Sequence, residues 1–133
     1  MSRSHKFFKY FREYRWSNIF AMIRNSKAEP EICHADFHGR LAVITGATSG
    51  IGYCTARKYA SHGADLVCIN RNEKKSQALC EEIIADYGVR CEYIRADLSR
   101  IEDVHRAGRE LLQLPVPIDV FIHNAGIYTT KRE

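Results

Sequence analysis

An α/β fold built on a doubly wound parallel sheet is predicted for residues 36–133, and two features of the sequence predict it. Short apolar runs alternate with longer segments of helical period, and a glycine-spaced turn joins the first run to the first helix. Such alternation implies right-handed βαβ units, and in doubly wound order the four strands lie 3-2-1-4.

The elements follow in order. Residues 41–45 form an uninterrupted apolar run, as a strand covered on both faces requires. A helix over 50–62 follows the glycine turn, then a strand over 64–70 and a helix over 72–87. A third strand spans 91–96, a third helix 100–114 and a fourth strand 118–123. This last strand is apolar on both faces and carries no charge, bulge or proline to blunt a sheet edge, so a fifth strand is expected to pair with it. The sequence stops at Lys131-Arg132-Glu133, in what reads as the middle of a loop, and this fits a truncated reading frame.

Composition places the chain among ordinary globular domains, with one core expected in 133 residues. No apolar run is long enough to predict a spanning helix. Cys33, Cys54, Cys68, Cys80 and Cys91 are odd in number and scattered, which predicts reduced thiols in a reducing, cytoplasmic compartment. Cys33, His34 and His38 lack a fourth partner at zinc-type spacing, so no metal is expected there.

The net charge of +4 is concentrated in an extension over residues 1–35. Residues 1–27 hold seven Lys or Arg against Glu13 alone, which leaves the domain without the basic field that nucleic-acid binding needs. Phe7, Tyr10, Phe11 and Tyr14 share one face of a predicted helix over 6–15, with Lys6, Lys9 and Arg12 opposite and Ser4 as its cap. Ser17 is predicted to cap a second short helix carrying Ile19, Phe20 and Ile23, and the two apolar faces do not form one stripe. Residues 4–24 thus suit either a peripheral membrane contact or packing on the protein's own domain or a second subunit; an Arg-rich presequence is a third reading. Residues 27–38, with Pro30 and mixed charges, read as a linker.

The turn Thr45-Gly46-Ala47-Thr48-Ser49-Gly50-Ile51-Gly52 carries the candidate chemistry. Gly46 permits a tight exit from the strand, Gly50 lets backbone approach a pyrophosphate, and Gly52 lets helix and sheet pack closely. The following helix offers unpaired N–H groups and a partial positive charge to phosphates. No Gly-Lys-Ser/Thr follows, so the turn is not a P-loop.

Four ordered motifs resemble the short-chain dehydrogenase/reductase family from about Asp36 onward. They are Asp36-Phe37-His38-Gly39-Arg40, the T-G-x-x-x-G-I-G turn, Asp97-Leu98 after the third strand, and Asn124-Ala125-Gly126 after the fourth. The resemblance implies a Rossmann-type domain in which Gly46, Thr48, Ser49, Gly50, Ile51 and Gly52 hold pyrophosphate. Asp97 and Leu98 would then lie against adenine, and Asn124, Ala125 and Gly126 would wall the ribose. His123 stands where the fuller motif has Asn, and a hydrogen-bonding role beneath the site is expected of it.

After the second strand, Asn70 is neutral where an acid would favour NAD, and Arg71 offers a planar fork to a 2′-phosphate. With Lys74 and Lys75 nearby, this favours NADP over NAD as cofactor. The family's catalytic Tyr-x-x-x-Lys is absent: none of the seven tyrosines has Lys four residues on, and Tyr128 is followed there by Arg132. No catalytic residue is assigned. Two readings follow: the NADP-binding portion of an oxidoreductase acting on a small-molecule alcohol or carbonyl, homo-oligomeric when full length, or a non-catalytic nucleotide-binding or interaction module.

Overall fold

The structure, a computed structural model, describes residues 16–29 and 31–126. The helix predicted over 6–15 and the loop residue Tyr128 lie outside these. The chain divides into two compact units, Met1–Cys33 and His34–Glu133.

In the first unit, α1 (Trp16–Lys27) contains no buried residue. Ser17 lies within this helix and is not its N-terminal cap, because Trp16 before it already has helical backbone. The helix also runs to Lys27, where the sequence suggested a linker beginning.

The second unit contains β1 (Leu41–Thr45), α2 (Gly50–Ser61), β2 (Asp65–Asn70), α3 (Glu73–Tyr87), β3 (Cys91–Arg95), α4 (Ile101–Leu112) and β4 (Val120–Ile122). The strands form one parallel sheet in the order β3-β2-β1-β4, as predicted. Side chains alternate across the sheet with the strand period of two. Ala42, Ile44, Leu66, Cys68 and Cys91 meet Ala56 and Ala60 of α2 and Leu79, Cys80 and Ile83 of α3 on one face. Leu41, Val43, Val67, Ile69 and Ile94 meet Ala107 of α4 on the other, where Leu111 packs at the margin.

Local chemistry sets the helix ends. Asn72 caps α3, its side-chain oxygen accepting the Lys75 amide at 3.0 Å, and Gly88 closes the helix with a left-handed φ of 67°. Arg57 of α2 reaches Glu82 and Asp86 of α3, and Tyr53 donates to the same Glu82, so the two helices on this face are clamped together. Arg90 bonds Asp65 through its guanidinium and its amide, fixing the entry to β3 beside the start of β2.

The main departure from the sequence reading is β4, which spans three residues where 118–123 was predicted. Its ladder to β1 is bounded by two side chains. Asp119 Oδ2 accepts the Leu41 amide at 2.8 Å before the strand, and Thr45 Oγ1 accepts the Asn124 amide at 3.0 Å after it. His123 lies past the strand with its ring stacked on Phe121, centroids 4.5 Å apart. Among the described residues β4 is a sheet edge, as expected, and Phe121 is 40% exposed upon it.

Ile44 is fully buried at the sheet centre, in register with Cys68 on one side and Ile122 on the other. Ile44→Ala is expected to lower stability by about 2–5 kcal/mol in chemical denaturation, the range for truncating a buried Ile or Leu.

Candidate functional site

The turn between β1 and α2 takes its shape from two glycines in particular. Gly46 has φ 70°, and a Cβ there would come within 2.9 Å of the Ala125 Cα. At Gly52 the backbone is ordinary, but a Cβ would fall 2.1 Å from the Gly46 carbonyl oxygen and 2.5 Å from Asn124 Nδ2. The first turn of α2 can lie against both the loop and the end of β4 only because this position carries no side chain. The sequence reading had Gly52 easing helix against sheet; the contact it permits is with the turn and with Asn124.

Three sets of hydrogen bonds hold the turn. Gly46 donates its amide to Ile69 O at 3.0 Å, and Ala47 donates its own to Asn70 Oδ1 at 2.8 Å. Asn124 Nδ2 donates to the carbonyls of Thr45 and Gly46 at 3.2 and 3.1 Å. Thr45 Oγ1 accepts the amides of Asn124 and Ala125, both at 3.0 Å. Every one of these donors and acceptors sits at the C-terminal ends of the strands, where parallel sheets place their ligand crevices.

A cleft of about 670 Å³ opens there. Gly46, Thr48 and Ser49 form its wall from the turn, and Asn124, Ala125 and Gly126 the wall from β4. Asn70 and Arg71 line it after β2, and Asp97 and Leu98 after β3. Ten of the residues singled out in the sequence are thus brought to one cavity. Gly50, Ile51 and Gly52 are not in its lining: Gly50 shapes the turn with φ 56°, Gly52 acts through the contacts above, and Ile51 is 79% exposed.

Asn70 lines the cleft but is turned inward. It is 3% exposed, its Oδ1 is committed to Ala47, and Nδ2 has no hydrogen-bond partner among the described residues. Asn70 also accepts the Ala96 amide through its carbonyl, at 2.9 Å, so it ties the glycine turn to β2 and the end of β3.

Of the cleft's charged groups, Arg71 and Lys75, one helical turn on, are exposed and Asp97 is half-buried. The Ser99 hydroxyl and amide, at 2.7 and 3.1 Å from Asp97 Oδ1, hold the Asp97 carboxyl below the usual carboxylate range, and the Arg71 guanidinium adds to this. Asp103 in turn accepts the Asp97 amide at 2.8 Å and fixes this loop to the start of α4. Ser99 and Asn72 were not singled out in the sequence, although Asp-x-Ser after a strand is a recognisable turn.

A family model described as short chain dehydrogenase matches residues 40–133. The chain belongs to the short-chain dehydrogenase family. Among relatives, it is 41% identical over 96 residues to the WW domain-containing oxidoreductase of Drosophila melanogaster, covering 70% of this chain and 24% of that protein. It is 35% identical over 91 residues to the inactive hydroxysteroid dehydrogenase-like protein 1 of Homo sapiens, covering 68% of this chain and 27% of that protein. In structure it is similar to a short-chain dehydrogenase from Sphingobium yanoikuyae in complex with NADPH, with a TM-score of 0.64 and 34% identity over 69% of this chain and 36% of that one. The chain therefore spans well under half the length of the dehydrogenases it matches.

The Thr45 hydroxyl gives the site a direct test. Thr45→Val keeps the shape but leaves two amides without their acceptor, and Thr45 is buried. A loss of about 1–3 kcal/mol in denaturant unfolding is expected.

Proposed function

We propose that the protein containing this chain is an NADP-dependent oxidoreductase that interconverts a small-molecule alcohol and a carbonyl, and that this portion holds the adenosine and pyrophosphate of the cofactor. The observation that carries the reading is the joining of a glycine turn with two rim cations, Arg71 and Lys75, in one cleft at the strand ends.

The residues present fit such a cofactor. Ser49 precedes α2 and makes no side-chain capping bond, so the first amides of α2 and the Ser49 hydroxyl are available to phosphate oxygens. Gly46 and Gly52 keep that backbone free of Cβ atoms. Arg71 supplies a planar pair of donors for a 2′-phosphate and Lys75 a point charge beside it. The Asp97 carboxylate, kept ionised by Ser99, accepts from an adenine amino group, with Leu98 as apolar wall. Asn124, Ala125 and Gly126 close the ribose side, held in place by Thr45. When bound, NADP supplies the hydride carrier; the proton-transfer residues belong to no position in 1–133, since no Tyr-x-x-x-Lys occurs there.

The similarity to a human protein named as inactive supports a second reading: a module that binds the dinucleotide without catalysis. The two diverge downstream. A reading frame that continues into a Ser and a Tyr-x-x-x-Lys after a fifth strand favours the enzyme. The uncovered β4 edge and exposed Phe121 are consistent with such a continuation and with assembly into a homo-oligomer. A reducing, cytoplasmic setting suits the buried Cys80 and Cys91, whose sulfurs lie 3.3 Å apart as free thiols. Contact with the Cys91 sulfur and burial push the Cys80 thiol up, which keeps it neutral.

Two measurements test the proposal. In the full-length protein, Arg71→Asp should weaken NADPH binding about tenfold or more while NADH binding is retained or improved, the scale of one charge-assisted contact. Equal loss for both nucleotides would remove Arg71 from the 2′-phosphate site. Purified 1–133 should show no carbonyl reduction with NADPH, and measurable turnover would mean that the chemistry resides in these residues after all.

A further inference from the structure

The helix α1 presents a surface that the dinucleotide site does not use. It lies in the first unit, its twelve residues include none that are buried, and it carries no acidic side chain. Trp16 is 75% exposed, Phe20 65%, Met22 66% and Ile23 44%. Trp16, Phe20 and Ile23 recur at i, i+4 and i+7, and Ile19 falls between them, so these side chains share one face. The Trp16 and Phe20 rings are neighbours on it, with centroids 6.5 Å apart.

A helix this short is marginal in water by its own backbone bonds, and most helical stability in proteins comes from contacts made by an apolar face. What α1 offers is an aromatic stripe ending in cations. Arg24 and Lys27 occupy the last turn, where positive charge also suits the helix dipole. Residues 1–27 together carry seven Lys or Arg against Glu13 alone. No helix among the described residues is long and apolar enough to cross a membrane.

We propose that α1 is an interfacial helix that lies on an anionic lipid surface, Trp16, Phe20 and Ile23 entering the headgroup boundary and Arg24 and Lys27 pairing with lipid phosphates. Charge complementarity selects this occupant. Aromatic rings beside cations are the side chains that partition to a bilayer interface, and a surface excess of basic residues is attracted to anionic lipid. Lys27 has a stem long enough to follow the apolar face while its ammonium stays among headgroups.

Trp16 is the single tryptophan of the chain and reports directly on α1. In the intact protein, adding vesicles of phosphatidylcholine with phosphatidylserine should shift its emission to shorter wavelength and carry the protein into the vesicle pellet. The shift should vanish in Trp16→Phe, identifying its source. Phe20→Ser/Ile23→Ser and, separately, Arg24→Gln/Lys27→Gln should each weaken vesicle binding about tenfold or more, with NADPH affinity unchanged as the sign of an intact domain. Absence of both shift and sedimentation overturns the proposal. So does equal binding to phosphatidylcholine alone, which would remove the electrostatic part. A shift that grows with protein concentration in the absence of lipid would assign the face to a second copy of the chain instead.

Discussion

The site depends on the oxygen of one hydroxyl. Thr45 Oγ1, buried at the end of the central strand, accepts the amides of both Asn124 and Ala125, and the Asn124 carboxamide returns two bonds to the carbonyls of Thr45 and Gly46. These contacts draw the end of β4 against the exit of β1 and leave no room for a side chain at Gly46 or Gly52. From the other flank, Asn70 takes the Ala47 amide. The glycine turn is therefore braced on both sides by polar groups removed from water, where an unmade bond is costly and a made one is rigid.

In the proposed site, this rigidity would serve a ligand of high charge. A turn that aims backbone amides at an anion gains by having its backbone fixed beforehand, because ordering it on binding would consume part of the affinity. The same logic applies to Asp97, whose carboxylate is oriented by Ser99 before anything meets it. Arg71 and Lys75 differ: they are long and exposed, and their contribution is charge and donors more than shape. In the proposed site, a fixed inner wall and an adaptable cationic rim would divide the task of recognition between them.

The two faces of the sheet are not equally finished. The α2–α3 face is closed by small residues, Ala56 and Ala60, that let a helix approach closely, and by the Arg57 clamp. On the opposite face α4 packs over Leu41, Val43, Val67, Ile69 and Ile94, while Phe121 at the β4 edge keeps much of its ring exposed. An apolar edge of this kind is what pairing with a further strand would remove from water.

Much of this was readable before any fold was built. The order of strands follows from the alternation of runs 41–45, 64–70 and 91–96 with helices, since period and connection handedness are local properties of a chain. Glycine spacing likewise located the turn, because positive φ at Gly46 and Gly50 is a demand on single residues. Other features depend on groups far apart in sequence meeting in space. The Thr45–Asn124 bond joins positions 79 apart, Asn70 turned inward because Ala47 needed an acceptor, and β4 shortened because side chains captured the amides that would have extended its ladder. No periodicity records such pairings; they exist only once burial has removed the water that would otherwise have satisfied each group.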